Sequence, residues 1–378
     1  MLEKRPPMGW NSWNTFGAKI DENMIREMAD RMVDDGYLAC GYEYLVIDDC
    51  WALRERDENG RLVPDPAKFP GGMKALADYV HAKGLKFGMY SCAGIETCAG
   101  YPSSFGHEFV DAETFAGWGV DFLKYDFCNF PKGADARTAY STMAVALKAT
   151  GREILFSACN WGCCDVHHWA RAAGCHMFRS TGDINDSYAS FREIGLSQMK
   201  LLDTSAVGCY NDPDMLIVGM NGAGNVGMGG CNEIEYRAHF AMWCLYGVPL
   251  IMGCDLRVVE PKYRELLQNK LLLRIDQDEE ARPPMVIYEQ WDMYALVRHL
   301  SNGEYAIGFF NMSDELRDKP WNTPIAVFSD FGLPVYSGYD LEVTDVFTGE
   351  TRVVSDRLRP DGLQPHEAKL YLCRPVKH

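Results

Sequence analysis

The sequence lacks features that mark two large classes of protein. A transmembrane helix needs roughly 18 to 20 consecutive apolar residues. The longest apolar stretches, such as FAMWCLYGVPLIMG, fall short of that length, so we predict no membrane span. Positive charge is also scarce, because 37 lysines and arginines face 53 aspartates and glutamates, a net charge of −16. Such a chain is repelled by nucleic acid and by anionic membranes, and we expect neither as a partner.

Signals for export and for structural zinc are missing too. The N-terminus, MLEKRPPMGWNSW, has neither an apolar h-region nor a small-residue cleavage site, so no signal peptide is predicted. We expect a cytoplasmic protein, exported only if a leader was removed. Cys159, Cys163 and Cys164 lie close together, but the CxxC…CxxC spacing of a zinc site is absent. Most of the 14 cysteines are therefore expected to be free thiols.

What is present is a long chain with repeated strand and helix patterns. Its 378 residues, 47% of them hydrophobic, suffice for a barrel of about 250 residues or more and a smaller second domain. Apolar runs alternate with helical patterns eight times, and eight strand–helix pairs close a parallel barrel. The predicted strands are residues 8–13, 42–51, 85–92, 120–129, 153–162, 175–184, 214–219 and 249–256.

The pattern changes after about residue 282. Helical periodicity gives way to period-two alternation in segments such as MYALVRHL and YDLEVTDVFTGETRVV. Asn302-Gly303 and Thr348-Gly349 are signals for hairpin turns. We predict an α/β fold, with a (β/α)8 TIM barrel over residues 1–281 and a C-terminal antiparallel β-sandwich over residues 282–378. The sandwich could contact a second copy of the chain, so a homo-oligomer is compatible with the sequence.

Polar side chains mark the ends of many predicted strands. In barrels of this kind the active site lies at the C-terminal ends of the strands. These residues are Asp48 and Asp49 after strand two, Lys124 and Asp126 in strand four, Asn160 and Trp161 after strand five, Arg179 and Asp183 in strand six, Asp212 and Asp214 at the start of strand seven, and Asp255 after strand eight. So many carboxylates on one face indicate an active site.

Two carboxylates suggest glycoside cleavage. In FLKYD the alternation of side chains puts Lys124 and Asp126 on one face. The lysine is expected to lower the pKa of Asp126 and keep it ionised as a nucleophile, the alternative being a buried ion pair without a catalytic role. A retaining glycosidase needs a protonated partner about 5 to 5.5 Å away. An ionised Asp126 would raise the partner's pKa, and spacing alone does not choose between Asp183 and Asp186.

Aromatic residues accompany these carboxylates. Trp10, Trp13, Trp51 and Trp161 fall at or near predicted strand ends. An indole ring packs against the C–H face of a sugar, although a role in the core is the alternative for each one. Together, beside carboxylates, they favour a sugar pocket.

Six motifs resemble glycoside hydrolase family 27, the α-galactosidase family. MGWNSW, IDDCW, LKYDFCN, CNWG, RSTGDI and NDPDML occur in order between Arg5 and Leu256. The resemblance implies a retaining exo-glycosidase that hydrolyses terminal α-D-galactosyl residues of an oligosaccharide or glycoconjugate through a covalent glycosyl-aspartate. It implies Asp126 as nucleophile and Asp183 as general acid/base, with no metal or cofactor needed.

The resemblance also implies a set of sugar-binding residues. These are Trp13 under the ring, Asp48 and Asp49 at O4 and O6, Lys124 at O3 and O4, Arg179 at sugar hydroxyls, Tyr90 and Cys98 in the pocket, Cys159, Asn160 and Trp161 on the strand-five loop, and Asp214 and Met215 at the rim. Cys98 and Cys128 match a family disulfide, but in a reducing cytoplasm we expect free thiols there.

The strand-five loop departs from the family pattern. Many members have C-E-W where this chain has Cys159-Asn160-Trp161, and the counterparts of Cys163 and Cys164 help to shape the pocket near O2. Related α-N-acetylgalactosaminidases carry small residues there, so that activity is the first alternative. A β-L-arabinopyranosidase is a weaker one, because an intact Asp48–Asp49 pair favours a sugar with a C6 hydroxyl. A lectin-like galactose-binding relic is the non-enzyme alternative, and it should have lost one catalytic carboxylate.

Overall fold

A computed structural model describes residues 4–377. Residues 1–3, on which the prediction about the signal peptide partly rests, and residue 378, the end of the predicted sandwich, lie outside the described residues. The first domain contains eight parallel strands. They are β1 (Met8–Asn11), β2 (Tyr44–Val46), β3 (Lys86–Cys92), β4 (Phe122–Asp126), β5 (Leu155–Cys159), β6 (Met177–Arg179), β7 (Tyr210–Asp212) and β8 (Leu250–Met252).

Helices follow these strands and cover the outside of the sheet. They are α1 (Trp13–Phe16), α2 (Glu22–Asp34), α3 (Gly72–Ala82), α4 (Glu108–Trp118), α5 (Ala136–Ala149), α6 (Val166–Ala173), α7 (Tyr188–Gln198), α8 (Glu233–Tyr246), α9 (Pro261–Leu267) and α10 (Lys270–Asp276). Helix α2 shows why the sequence folds in this way. Asp21 caps its first turn by accepting a hydrogen bond from the backbone N–H of Met24, and Met24, Met28 and Met32 bury one face.

The strands form a sheet in the order β7-β6-β5-β4-β3-β2-β1-β8. This arrangement confirms the predicted (β/α)8 barrel. Cys92, Asp126 and Cys159 lie side by side at the C-terminal ends of β3, β4 and β5. Between β7 and β8, the described residues have a single parallel bridge from Leu216 to Met252 instead of a full ladder.

The predicted seventh strand is wrong. We assigned it to residues 214–219, but the strand is Tyr210–Asp212, so Asp212 ends strand seven and Asp214 follows it. Pro213 cannot continue the ladder, because it has no backbone N–H. The apolar run after it is buried against β8 instead, with Leu216 N–H donating to the carbonyl of Ile251.

The eighth strand is followed by two helices instead of the one that eight strand–helix pairs predict. They are α9 and α10. The side chain of Asn269 accepts hydrogen bonds from the backbone N–H groups of Leu271 and Leu272, which starts a second helix at that point. None of the helices in the described part of the chain combines the length and the apolar character needed to span a bilayer.

The second domain consists of antiparallel strands, as predicted. They are β9 (Met285–Gln290), β10 (Met293–His299), β11 (Tyr305–Asn311), β12 (Ala326–Val327), β13 (Tyr339–Asp345), β14 (Thr351–Val354), β15 (Arg357–Leu358) and β16 (Ala368–Lys377). Six of them form one sheet, in the order β14-β13-β16-β11-β10-β9, and β12 pairs with β15. The predicted turns at Asn302-Gly303 and Thr348-Gly349 join β10 to β11 and β13 to β14.

A buried arginine fastens this domain to the barrel. Arg298 in β10 is 1% exposed. Its guanidinium donates a hydrogen bond of 2.9 Å to the carbonyl of Ile275, in the last helix of the barrel, and one of 2.8 Å to the carbonyl of Arg282, where the second domain begins. Because a buried charge is costly unless it is paired or hydrogen-bonded, this contact ties the two domains together.

Candidate active site

A cleft opens where the C-terminal ends of the barrel strands meet. Twelve of the fourteen predicted site residues line it, together with Asn14, which we did not predict. The lining residues are Trp13, Asn14, Asp48, Asp49, Tyr90, Cys98, Lys124, Asp126, Trp161, Arg179, Asp183, Asp214 and Met215. The topology therefore gathers residues from distant parts of the chain into one site.

Asp126 lies at the base of the cleft and is 6% exposed. Its Oδ2 accepts a hydrogen bond of 2.9 Å from the Tyr90 hydroxyl, and its Oδ1 accepts one of 2.8 Å from the backbone N–H of Phe127. Burial raises the pKa of Asp126 to about 6, although Lys124 and these hydrogen bonds lower it. Our prediction of a lowered pKa is therefore wrong, because desolvation outweighs the lysine. A pKa near 6 still leaves the group mostly ionised at neutral pH.

Lys124 does lie in the same cleft as Asp126, but it forms its ion pair with another carboxylate. Its Nζ lies 2.8 Å from Oδ2 of Asp48. That oxygen also accepts a hydrogen bond of 2.8 Å from the side chain of Asn11. Although burial opposes its charge, the neighbouring Asp48 raises the pKa of Lys124 well above its ordinary value. The cleft therefore holds a permanent positive charge beside two carboxylates.

Asp183 occupies the mouth of the cleft, with 68% of its side chain exposed. Its Oδ1 accepts a hydrogen bond of 2.8 Å from Arg179, and the same guanidinium nitrogen lies 2.8 Å from Oδ2 of Asp214. Partial burial raises the pKa of Asp183, but the charges of Arg179 and Lys124 and the hydrogen bond from Arg179 hold it below its ordinary value. The expectation that the pKa of Asp183 is raised above its ordinary value is therefore wrong.

Asp186, which spacing did not separate from Asp183, has a different environment. It is fully buried and lies outside the cleft lining. Its carboxylate accepts hydrogen bonds from the Tyr236 hydroxyl at 2.9 Å and from Gly222 N–H at 2.6 Å, and its backbone N–H donates to Val226. It therefore fastens the glycine-rich segment 221–230 to the segment that carries Asp183.

Asp48 and Asp49 follow β2 on the opposite wall. Asp49 Oδ2 accepts a hydrogen bond of 3.2 Å from the backbone N–H of Ala99, and its Oδ1 accepts one of 2.6 Å from Cys50. Burial raises the pKa of Asp49 above its ordinary value. Cys50 adopts a left-handed backbone with φ of 72°. Non-glycine residues seldom adopt this conformation, which is more common at functional sites.

A disulfide joins Cys98 to Cys128, with their Cα atoms 5.0 Å apart. The expectation of free thiols at this pair is therefore wrong. The bond joins the loop after β3, which carries Cys98 into the cleft, to the loop that follows Asp126. The other cysteines of the described chain are free thiols, as expected.

The strand-five loop contributes less to the cleft than we predicted. Cys159 and Asn160 are buried behind the wall, where Cys159 lies against Arg179 and Asn160 donates to the carbonyl of Cys163. Cys163 and Cys164 are exposed and lie outside the cleft lining. Trp161 does line the cleft. It has a left-handed backbone with φ of 59°, and Gly162 follows it where an added Cβ would meet the carbonyl of Ser180.

Only two of the four predicted rim tryptophans reach the cleft. Trp13 and Trp161 line it, whereas Trp10 and Trp51 are buried in the core. The indole N–H of Trp10 donates to the carbonyl of Cys254, and that of Trp51 donates to the carbonyl of Tyr90. Asp212 and Asp255, although near strand ends, also lie outside the lining.

Asn14 is the residue that the sequence analysis missed. It is 3% exposed, and its side-chain Nδ2 has no hydrogen-bond partner among the described residues. The only sign of its role in the sequence was its place next to Trp13, and adjacent residues do not usually line the same wall of a cleft. A buried amide donor without a partner is costly, so this group is suited to a polar ligand in the cleft.

The cleft as a whole suits a neutral polyhydroxylated ligand. Its wall holds both carboxylates and cations, and Trp13 and Trp161 offer apolar surface. Such a ring of donors and acceptors can hydrogen-bond hydroxyl groups while an indole packs against C–H groups. A buried carboxylate at the base and an exposed one at the mouth provide two acidic groups in separate environments.

Comparisons with known proteins agree with this geometry. A family model described as "Alpha galactosidase A" matches residues 5–278, and one described as "Alpha galactosidase C-terminal beta sandwich domain" matches residues 290–373. An alpha-galactosidase of Cyamopsis tetragonoloba is 41% identical over 376 residues, which cover 99% of this chain and 87% of that protein. Alpha-galactosidase A of Cellvibrio japonicus is 45% identical over 328 residues, covering 84% and 78%. The crystal structure of alpha-galactosidase I from Mortierella vinacea matches with a TM-score of 0.91 and 31% identity, covering 98% of this chain and 97% of that one.

Proposed function

Because the chain belongs to the α-galactosidase family of glycoside hydrolases, we propose that its cleft binds a terminal α-D-galactosyl residue and that Asp126 and Asp183 cleave it with retention of configuration. The chain is a glycoside hydrolase that acts on α-galactosides. The observation that carries the residue assignment is the pairing, in one cleft, of a buried carboxylate at the base with an exposed carboxylate at the mouth.

In the first step Asp126 attacks the anomeric carbon of the galactosyl residue. Its surroundings support this role, because a pKa of about 6 leaves it ionised at neutral pH without making it a weak nucleophile. Tyr90 and the backbone N–H of Phe127 fix its orientation. Asp183 gives its proton to the leaving oxygen as the glycosidic bond breaks, and a galactosyl ester on Asp126 remains.

In the second step Asp183 acts as a base. It takes a proton from water, which attacks the anomeric carbon from the face that the aglycone has left. The exposure of Asp183 at the mouth supports this role, because water and the leaving group both arrive from that side. Two inversions give net retention.

Asp183 must carry a proton at the first step, although Arg179 favours its ionised form. A bound galactoside raises the pKa of Asp183, because it covers the exposed carboxyl group and removes water from it, and desolvation raises the pKa of a carboxyl group. Productive binding therefore selects the protonated form.

The other lining residues hold the sugar. We assign Asp48, Asp49 and Lys124 to the hydroxyls on the O3 to O6 side, Trp13 to the face of the ring, and Arg179 to further hydroxyls, with support from Tyr90, Cys98, Trp161, Asp214 and Met215. Asn14 joins this set as a donor. Cys159 and Asn160 act indirectly in this proposal, because they are buried behind Arg179 and Trp161. No metal or cofactor is needed for these steps.

Paired kinetics on nitrophenyl α-galactoside and nitrophenyl α-N-acetylgalactosaminide test the substrate. We expect a higher kcat/KM for the galactoside, because Cys163 and Cys164 lie outside the cleft lining and so do not enlarge the pocket for an acetamido group. Proton NMR of the first product should show α-galactose, as retention requires. A higher kcat/KM for the acetylated sugar, or β-galactose as the first product, would contradict the proposal. Binding of galactose without hydrolysis would favour the lectin-like alternative.

For the compartment we propose the cytoplasm, because most cysteines are free thiols. The Cys98–Cys128 disulfide argues for an oxidising compartment. Fractionation of the native host tests this proposal. Recovery of the protein with cytosolic marker proteins is expected, whereas recovery with secreted proteins would indicate export.

A further inference from the structure

A groove lies between helix α7 of the barrel and the second domain. Its volume of about 1110 Å³ exceeds the roughly 300 to 1,000 Å³ of a pocket for one small molecule. Its lining comes from α7, from the β9–β10 loop and from the segment after β11, and includes Tyr188, Arg192, Trp291, Asp292, Met312 and Arg317. None of these six residues lines the cleft, so the groove is a separate feature of the surface.

Trp291 is the largest apolar side chain of this groove. It is 63% exposed, although tryptophan is on average a highly buried residue. Trp291 and Asp292 form the two-residue loop between β9 and β10, with φ of 52° and 57°. Asn-Gly is typical of such a loop, because bulky residues seldom adopt a positive φ. An exposed tryptophan here has a cost in backbone strain and gains little burial, a combination found at functional sites.

The loop that carries the indole is fixed to the barrel by three hydrogen bonds. The Asp292 carboxylate accepts one of 2.7 Å from the guanidinium of Arg192, in α7. The backbone carbonyl of Asp292 accepts one of 2.8 Å from Met312 N–H, and Arg192 Nε donates one of 3.0 Å to the carbonyl of Met312. The indole of Trp291 therefore has a rigid support, as a platform for a ligand requires.

The charged residues of the groove have both signs. The cations are Arg192, Lys200 and Arg317, and the carboxylates are Glu193, Asp292, Asp314 and Glu315. Arg192 lies 2.7 Å from Asp292, and Arg317 lies 3.1 Å from Glu315. Such a surface favours neither an anion nor a cation as ligand. Its donors and acceptors can bond to hydroxyl groups while the indole packs against C–H groups, so the groove suits a neutral carbohydrate.

The groove begins near the mouth of the cleft. Helix α7 starts at Tyr188, five residues after Asp183. Five residues of chain span at most about 18 Å, so the part of the groove beside Tyr188 is within the length of a short oligosaccharide from Asp183. In the proposed mechanism the aglycone leaves on the Asp183 side. A sugar chain that is linked to the galactosyl residue in the cleft can therefore continue into the groove.

We propose that this groove is a second carbohydrate site, which binds the main chain of a neutral polysaccharide whose α-galactosyl branch occupies the cleft. Trp291 packs against the C–H face of a sugar in that chain. The proposal rests on the proposed function, because it takes the cleft to hold the galactosyl residue. Trp291 should then affect only substrates that are long enough to reach the groove.

Kinetics on a long and a short substrate test this proposal. The long one is soluble galactomannan, a neutral polysaccharide with α-galactosyl branches, and the short one is nitrophenyl α-galactoside. Trp291→Ala should lower kcat/KM for galactose release from galactomannan by about tenfold, since a tryptophan at the centre of a contact contributes strongly to binding. The value for the nitrophenyl substrate should not change. Trp321→Ala is the control, because Trp321 is 76% exposed in the same domain but lies outside the groove lining. It should change neither value.

Electrophoresis through gels with and without galactomannan measures binding separately from hydrolysis. Saturating galactose fills the cleft and stops hydrolysis, so that retardation by the polysaccharide reports on the groove. We expect galactomannan to retard the unaltered protein and Trp321→Ala, and to retard Trp291→Ala much less.

Three outcomes would overturn the proposal. They are equal retardation of all three proteins or of none, an equal loss of activity on both substrates in Trp291→Ala, and a lower mass of Trp291→Ala than of the unaltered protein in light scattering. The last would assign Trp291 to an interface between copies of the chain. Failure of the proposed function would instead appear as absence of nitrophenyl galactoside hydrolysis by the unaltered protein.

Discussion

Arg179 donates a hydrogen bond of 2.8 Å to the carboxylate of Asp183 at the mouth of the cleft. Nine-tenths or more of the arginine is buried, whereas most of the aspartate is exposed. The buried arginine is therefore held in place, whereas the surroundings of the exposed carboxyl group change when a ligand binds. Binding of a substrate therefore acts mainly on Asp183, and its protonation state depends on whether the cleft is occupied.

Replacing Asp126 with alanine should abolish turnover. The loss of the nucleophile is expected to lower kcat by roughly 10⁴-fold or more, as for other covalent nucleophiles. Azide can enter the space that the carboxylate leaves and attack the anomeric carbon once. We expect partial rescue with β-galactosyl azide as the product, identified by NMR. An α-configured azide, or full activity without azide, would assign the nucleophile elsewhere.

Replacing Asp183 with alanine should have an effect that depends on the leaving group. A missing general acid is expected to lower kcat/KM by about 10² to 10⁴-fold for an alkyl galactoside. A dinitrophenyl galactoside needs little protonation and should lose much less. Steady-state kinetics on both substrates checks this difference. An equal loss on both would show that Asp183 does not act as the acid.

The pKa of Asp126 should be visible in the pH dependence of the Asp183→Ala variant. Without the acid, a dinitrophenyl galactoside requires only that Asp126 be ionised. Protonation removes the nucleophile, so kcat/KM should rise with pH through about 6, the pKa to which burial raises this group, and then stay level. A midpoint near the ordinary value of aspartate, about 3.9, would contradict the effect of burial.

Asp186 offers a test of positioning. The Asp186→Asn variant keeps the shape of the side chain but weakens its hold on Gly222 N–H and the Tyr236 hydroxyl, and so loosens the segment that carries Asp183. We expect kcat/KM to fall by about tenfold for an alkyl galactoside and to change little for a dinitrophenyl one. A purely structural role would reduce both alike.

The unpaired amide of Asn14 should contribute to binding. Removal of one neutral hydrogen bond to a ligand costs about 0.5 to 1.5 kcal/mol. Asn14→Ala should therefore raise the dissociation constant of galactose by a few-fold to tenfold, measured by calorimetry. Asn211→Ala is the comparison, because Asn211 is as buried as Asn14 but lies outside the cleft lining. Unchanged affinity in Asn14→Ala would exclude the contact.

Arg298 should be important for stability but not for chemistry. Arg298→Met removes the hydrogen bonds to the carbonyls of Arg282 and Ile275 and leaves the buried Ile275 carbonyl without this donor. A buried acceptor that loses its donor costs about 1 to 3 kcal/mol. Thermal unfolding should begin at a clearly lower temperature. Arg374→Met, which removes an exposed ion pair with Glu342 in the same sheet, should cost under about 1 kcal/mol.

Most of the fold was predictable, because the spacing of apolar residues and the residues that form turns are local features of the sequence. The alternation of apolar runs and helical patterns indicated the barrel, and Asn302-Gly303 marked a real hairpin. Strand seven was not predictable in this way. The run after Pro213 has the composition of a buried strand, but it makes only one bridge to β8 in the described residues. This contact depends on the closure of the sheet and cannot be read from the local sequence.

The identity of most site residues was predictable, because it follows from the residue type and from the position at the end of a predicted strand. Burial and pKa were not, because they depend on groups that are distant in sequence. Lys124 is two residues from Asp126, yet its ion pair is with Asp48. Desolvation of Asp126 comes from the whole base of the cleft. Likewise, Trp10 and Trp13 are only three positions apart in the sequence, yet Trp10 is buried in the core and Trp13 lines the cleft.

The single bridge between β7 and β8 has a consequence for how this barrel can change during evolution. Leu216, which makes the bridge, directly follows Asp214 and Met215 on the cleft wall. Asp214 also accepts a hydrogen bond from the backbone N–H of Ile184, next to Asp183. An insertion or deletion in this stretch would thus alter barrel closure and substrate specificity together. New substrate preferences should arise more readily from loops that make no contact between β7 and β8, such as the strand-five loop that carries Trp161 into the cleft.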